Sequence, residues 1–320
     1  MPLVDHFLAE PLAHLPARRP TTVRRTSHVD MVRRSDGTLE LLGEAHQSGV
    51  AASCRALVGL DRTLTSLSLD PDQDDRFDQL IGRVVGRGFR AAVDEVSEPG
   101  TLASVLLSEL PVAALLSGYA SLYTGEFPDR IPDAMLAGFP VDICAGWAAP
   151  ASFMVQIRTE RVMPTPAGPL APVLEAGEWH PMPTLAVGSM RRQRLIERSG
   201  PDVWAMFRDT HARPDGQVAV LHEYTLTATL ADAPAGPGGG EGGGSVVVSC
   251  QAIPRVLPWA ECPGASASAA RLVGRRVSEL RAMVKEEMVG TSTCTHLNDL
   301  LSSLAQADRL VESPRPGRTR

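Results

Sequence analysis

The residue types best suited to chemistry gather in the last third of the chain. Cys262 lies in Glu261-Cys262-Pro263-Gly264-Ala265-Ser266-Ala267-Ser268, and Cys294-Thr295-His296-Leu297-Asn298-Asp299 opens a second apolar-periodic run. Each thiol sits where a helix is predicted to start. The positive end of a helix favours an anion, hence a thiolate, and thiolate with imidazole is a ligand set that zinc prefers. Upstream, Asp209-Thr210-His211 and His222-Glu223 add imidazoles and carboxylates. The candidate ligands for one zinc or iron ion are Cys262, Cys294, His222, His296 and His211. Glu223 and Asp209 are the candidates for acid–base catalysis. A strand sends successive side chains to opposite faces, so His222 and Glu223 cannot both serve one site. His222 is expected on the face of Val220, Tyr224 and Leu226, and Asp209 and His211 fall in what reads as a turn. One residue between Cys294 and His296 is not finger-type spacing. The same thiols serve equally well as small buried residues beside a Thr293 or Thr295 cap.

The elements that must position these groups are short. Arg24 to Met31 alternates as a strand, Asp36-Gly37 signals a hairpin, and strand-like runs continue to Leu69. From Arg76 the period becomes helical through Phe77, Leu80, Ile81, Val84 and Val85. Leu102 to Leu110 is predicted as a helix ending near Pro111, and Val112 to Tyr123 as another. Residues 124–190 carry ten prolines and two tryptophans and read as a crossover packed on the surface. Gln217 to Leu230 alternates strongly as a strand, residues 233–244 form a Gly/Pro-rich hairpin loop, and Ser245 to Ile253 pairs back. Helices follow over residues 264–287 and 295–310.

The two halves resemble each other. Arg24-Arg25 with Val29-Asp30 matches Arg191-Arg192 with Ile196-Glu197, and His46 matches His211. Leu80-Ile81-Gly82-Arg83 matches Leu272-Val273-Gly274-Arg275, and Arg90-Ala91-Ala92-Val93 matches Arg281-Ala282-Met283-Val284. Strands followed by helices in each half predict an α+β fold of two tandem pseudo-repeats, each a small antiparallel sheet followed by packed helices. The expected organisation is a loose arm over 1–22, a first repeat over 23–123, a crossover over 124–189, a second repeat carrying the site over 190–312, and a disordered basic tail over 313–320. The Arg24-Arg25 and Arg191-Arg192 pairs would either grip an anionic substrate or lie solvated at strand ends. Trp147, Trp179, Trp204 and Trp259 would line a pocket or simply pack.

Composition narrows the class. The chain has 320 residues with a net charge of −6, which argues against a nucleic-acid partner. No run of about 18 apolar residues is visible, so no membrane span is expected, and no secretory signal is recognised. Five cysteines, an odd number, point away from a disulfide framework and towards the cytoplasm. Gly238-Gly239-Gly240 lies within a hairpin rather than between strand and helix, so no nucleotide cofactor is expected.

Several motifs together carry a resemblance. These are Arg24-Arg25-Thr26 with Asp30, Asp142-Ile143-Cys144-Ala145-Gly146-Trp147, Ser189-Met190-Arg191-Arg192, Phe207-Arg208-Asp209-Thr210-His211, His222-Glu223-Tyr224, Leu257-Pro258-Trp259-Ala260-Glu261-Cys262-Pro263 and Cys294-Thr295-His296-Leu297-Asn298-Asp299. With these the chain resembles, from residue 21 to 310, the bacterial family called domain of unknown function 2889 in its longer actinobacterial form. The resemblance implies no activity. Residues 217–304 also resemble the NifU/IscU-type iron–sulfur scaffold in order of parts, which would make Cys262 and Cys294 metal or cluster ligands. That family's first-strand cysteine is missing here, which favours a mononuclear ion.

Three functional readings follow. The first is a metal-binding protein acting on a small organic substrate. The second is a non-catalytic binding or assembly module with structural cysteines and a protein partner. The third is a metal-free thiol enzyme using Cys294 and His296. Oligomeric state is not legible.

Overall fold

The computed structural model describes the chain except residues 1–2, 20, 72–73, 125–126, 175–176, 233–243 and 311–320. The Gly-rich loop, apart from Gly244, and the basic tail therefore lie outside the described residues. Eleven strands are present among the described residues: β1 (Leu3–Val4), β2 (Leu8–Ala9), β3 (Val23–Arg33), β4 (Leu39–Gln47), β5 (Val50–Val58), β6 (Leu64–Asp70), β7 (Thr165–Pro166), β8 (Met190–Ser199), β9 (Asp202–Ala212), β10 (Val218–Asp232) and β11 (Ser245–Leu257). The α-helices are α1 (Phe89–Val96), α2 (Leu102–Leu116), α3 (Ala120–Thr124), α4 (Asp133–Ala137), α5 (Ser152–Glu160), α6 (Leu280–Glu287) and α7 (Thr295–Ser303). Antiparallel strands with segregated helices make the fold α+β.

The expected pair of small sheets is instead one. Nine strands run in the order β2-β11-β10-β9-β8-β3-β4-β5-β6, and β1 pairs separately with β7. The join is the antiparallel pair β3–β8, with Ser27 opposite Arg194 near its middle. To either side of that pair the register sets Arg24 against Glu197 and Asp30 against Arg191. Both become ion pairs, Arg24–Glu197 at 2.6 Å and Arg191–Asp30 at 2.5 Å. Arg24, Arg191 and Arg192 are thus buried and spent on carboxylates, and the buried Arg25 donates to Gln47, Gln306 and the Gly100 carbonyl, so neither arginine pair is solvated or free for a substrate.

Each half runs four antiparallel strands and then turns to helices on the same side of the sheet. α2 lies over β3, β4, β5 and β8, while α7 lies over β9. Pro111 does not end its helix, since α2 continues to Leu116 and passes through a 3-10 turn into α3. Its ring costs one backbone bond and a local clash, which the buried residues on both sides offset. The segment Leu102–Tyr123 is long and apolar enough to cross a bilayer, but 72% of its most apolar window is buried inside the fold. The segment after β11 is a 3-10 helix from Cys262 to Leu272, then α6, rather than one continuous helix.

The other face of the sheet is covered by the N-terminal segment and the crossover. Leu15 and Trp179 bury against Leu195 and Met206, with Leu12, Leu174 and Met182 around them. Where a loose arm was expected, β2 pairs with β11, and Leu12 is held by Arg208 and Glu223. The crossover also sends α5 into the second half, where Phe153, Met154 and Ile157 join the core.

Candidate functional site

The polar centre of the second half is assembled by a bulge. Between Val220 and His222 the β9–β10 register slips, so Val220 faces Thr210 and His222 faces Asp209. Leu221 is the extra residue. Opposed residues in an antiparallel pair share a face, so the slip puts Val220 on the arm side and His222 on the helix side. The alternation read from sequence, with Val220 and His222 together, is corrected by this bulge. Bulges re-aim side chains in this way. His6 holds it in place: Gly168 donates its backbone N–H to His6 Nδ1 at 2.9 Å, leaving Nε2 to donate to the Leu221 carbonyl at 2.9 Å. Asp209 and His211 sit in β9, not in a turn.

α7 supplies the third group. Cys294 is extended, with φ −134 and ψ 129, and the helix starts at Thr295. Its first turn lays His296 on His222, ring centroids 4.0 Å apart at 19°. Tyr119 meets His222 edge-on at 5.2 Å. The ligand atoms of Asp209, His222 and His296 lie within 4.8 Å of one another. Asp209 Oδ2 stands 3.6 Å from His222 Nδ1, a buried nitrogen with no hydrogen-bond partner. That separation is too long for a hydrogen bond, yet close to the ~3.4 Å edge of a tetrahedron built on bonds of roughly 2.1 Å. Two imidazoles and a carboxylate are also a donor set of mononuclear zinc and non-haem iron sites. The residues therefore fit a metal in type and spacing. The stacked rings hold their lone pairs in near-parallel planes, so His296 must turn before both imidazoles can meet one ion. Burial, with His6 and Arg192 nearby, lowers His222 to about 3. Burial and His222 hold His296 well below the usual imidazole range. Both rings are neutral at pH 7, as ligands must be.

Asp209 is fixed by Arg192, whose Nη1 donates to its two oxygens at 2.8 and 3.1 Å. Burial still leaves the Asp209 carboxyl above its ordinary value. Arg192 also reaches Asp299 at 2.9 Å, one turn along α7 from His296. Asp299 further accepts from Arg90 and Arg194, and Arg194 Nε lies 3.1 Å from Glu109 Oε1. Three guanidiniums and three carboxylates from both halves thus meet beneath the helices. Burial pushes the Asp299 carboxyl up, but Arg194, Arg90 and Arg192 overcome it and hold it well below the usual range. Glu109, with weaker partners, is raised by its burial.

The other sequence candidates lie around this centre rather than in it. Cys294 Sγ is 3.9 Å from His296 Nδ1, and burial raises that thiol to about 11. Cys262 is raised well above its ordinary value by burial and by Cys294. The Asp142–Trp147 motif presses on it: a Cβ at Gly146 would sit 2.6 Å from Cys262 Sγ. Among the described residues, no group of three close enough to hold an ion includes a cysteine. His211 stacks on Tyr123 at 4.0 Å with neither ring nitrogen hydrogen-bonded, and burial lowers it to about 4. Glu223 points to the opposite face, where Arg208 Nε donates to it at 2.5 Å and Leu12 N at 2.6 Å. Trp259 stacks on Phe153 and Trp147 on Phe139, so these two indoles pack the core. Sequence reasoning did not single out Tyr119, Arg194, Glu109 or Asp299 as site groups. The signal for Arg194 is its two-residue spacing from Arg192, which puts both on the strand face that also carries Met190 and Ile196. Tyr119 and Glu109, on a helix that reads as core, give none.

Tyr123 also walls a cavity of about 470 Å³ with Leu3, Leu122, Phe127 and Arg213. Its wall residue Tyr123 is the ring on which His211 stacks.

No curated protein and no solved structure is detectably similar to this chain. The likeness of the last third to the NifU/IscU-type scaffold gains no support from these comparisons. Residues 190–309, which carry Asp209, His222, His296 and the strands beneath them, match the family described as Protein of unknown function (DUF2889).

Proposed function

We propose that Asp209, His222 and His296 hold one zinc or iron ion and that the protein uses it on a small organic molecule. The observation that carries this reading is the buried, unpartnered Nδ1 of His222 facing Asp209 Oδ2 at 3.6 Å, with His296 alongside. When bound, the ion would act as a Lewis acid. The chain's own contribution is positioning: the Leu221 bulge aims His222, Arg192 orients Asp209, and α7 delivers His296. The half-buried His296 supplies an approach to the ion, and the cavity walled by Tyr123, the ring on which His211 stacks, offers apolar and charged groups to an organic molecule. Cys262 and Cys294 pack around the site instead of ligating. We take the two halves as pseudo-repeats in which only the second carries this site; the matched ion pairs about Ser27 and Arg194 support that.

A non-catalytic binding module is favoured by one observation. His222 and His296 already stack, which packs a core without an ion. A metal-free thiol enzyme is disfavoured by the buried Cys294 thiol. Elemental mass spectrometry of the purified protein beside folded His222→Ala and His296→Ala variants separates these readings. One equivalent of zinc or iron lost in both supports the metal reading. Equal metal content in all three proteins, or none after anaerobic purification and reloading, sinks it.

A further inference from the structure

A second group of ligands lies on the opposite face of the same sheet, within the first half. His28 is on β3, Glu44 is nearly opposite on β4, and His180 comes from the crossover. Their ligand atoms also lie within 4.8 Å of one another. His28 Nδ1 and His180 Nε2 are 2.7 Å apart, so a single proton lies between two buried imidazoles. A divalent cation can take the place of such a proton if the rings part by several tenths of an ångström. The surroundings are built as a metal site's outer shell is built. Thr26 Oγ1 is 2.7 Å from His180 Nδ1 and can accept its N–H, which leaves Nε2 as the lone-pair nitrogen. His46 Nε2 bonds Glu44 Oε1 at 2.6 Å and its ring stacks on His180 at 4.4 Å and 7°, fixing both ligands from one side. His28 and Glu44 also line a cavity of about 380 Å³ with Ser53, Arg55, Ser68 and Asp70.

We propose that His28, Glu44 and His180 form a second mononuclear site for a divalent transition metal such as zinc, with its remaining coordination position open to this cavity. The open position would accept water or a small polar ligand, because the lining mixes hydroxyl, carboxylate and guanidinium groups. The site is independent of the one on the helix side, since the sheet separates them.

The test is a titration of the full, metal-free chain with Co2+, followed by its visible d–d bands, and a parallel zinc count by mass spectrometry. Glu44→Gln is the variant of choice, because Glu44 is half-exposed and its loss should leave the fold intact. His28→Gln and His180→Gln accompany it, with circular dichroism as the check on folding. The site predicts one equivalent that Glu44→Gln weakens roughly 10- to 100-fold and that His296→Ala leaves untouched. Cobalt binding that is indifferent to Glu44→Gln and to the folded histidine variants overturns the proposal. So does a wild-type chain whose whole metal content vanishes in His296→Ala. Conversely, one equivalent lost only in the Glu44 and His28 variants upholds this site while refuting the helix-side one.

Discussion

Replacing Asp299 by Asn should cost a large part of the protein's stability. The side chain is buried on α7 and accepts from Arg90 of α1 and from Arg192 and Arg194 of β8. Removing its charge leaves three guanidiniums against Glu109 and Asp209, all out of water except the partly exposed Arg90. Breaking a buried pair by taking one partner costs about 3–5 kcal/mol, out of a total of about 5–15 kcal/mol for a typical protein. With a urea m-value of about 3 kcal/mol/M, the unfolding midpoint should fall by about 1–1.7 M. Asp202→Asn is the control. Its pair with Arg19 is exposed at both ends and should be worth less than about 1 kcal/mol. The pH dependence has a definite sign. The folded Asp299 carboxyl is held below its unfolded value, so between the two only the unfolded chain takes up the proton. The gap between wild type and Asp299→Asn should therefore be full above pH ~4 and narrow as pH falls through that range. The assay is urea unfolding by circular dichroism from pH 3 to 8. A shift no larger than that of Asp202→Asn would refute the idea that this network anchors α7 to the sheet.

Other consequences are simpler. Burial raises Cys54 and Cys250 to about 12 and Cys294 to about 11, so at pH 8 their thiolate fractions are about one in a thousand or less. Iodoacetamide should leave the folded protein unlabelled and modify all five thiols in urea; rapid labelling of Cys294 in the folded state would revive thiol catalysis. Gly168→Ala should lower the melting temperature sharply. Gly168 has φ +69, and an added Cβ would lie 2.3 Å from the Val220 carbonyl oxygen. Because His6 bonds both Gly168 N and Leu221 O, the same change should loosen the bulge and weaken metal binding; an unaltered melt would show that this corner yields freely.

Much of the local architecture is legible in the residue order. The alternation from Gln217 to Leu230 and the Asp36-Gly37 hairpin correspond to observed elements, whereas the helical period through Phe77, Leu80, Ile81, Val84 and Val85 yields only a 3-10 helix over Asp75–Leu80. What is not legible depends on distant partners. Pairing of β3 with β8 joins residues 159 to 175 positions apart, from Met31–Met190 to Val23–Arg198, and nothing local to either strand says that they are neighbours. The Leu221 bulge shifts the phase of a strand whose alternation otherwise reads cleanly, so period counting misplaces Val220 relative to His222. Arg192 and Arg194 look like surface residues because isolated guanidiniums are rarely buried; only Asp209, Glu109 and Asp299, from three other elements, make their burial tolerable. His180 lies in a Pro-rich stretch without periodicity, and its neighbours Thr26, His28 and His46 come from the other end of the chain. The type of chemistry is easier to read than its address. Asp209, His222 and His296 can all be picked as reactive residues, while the cysteines that seem to lead the site lie beside that group rather than within it.

The most direct test of the account is a metal count on the wild-type chain and on folded His222→Ala, purified without added metal and again after loading with zinc. The account predicts one equivalent fewer in the variant than in the wild type. An identical count in both would contradict it and leave Asp209, His222 and His296 as a packed polar core.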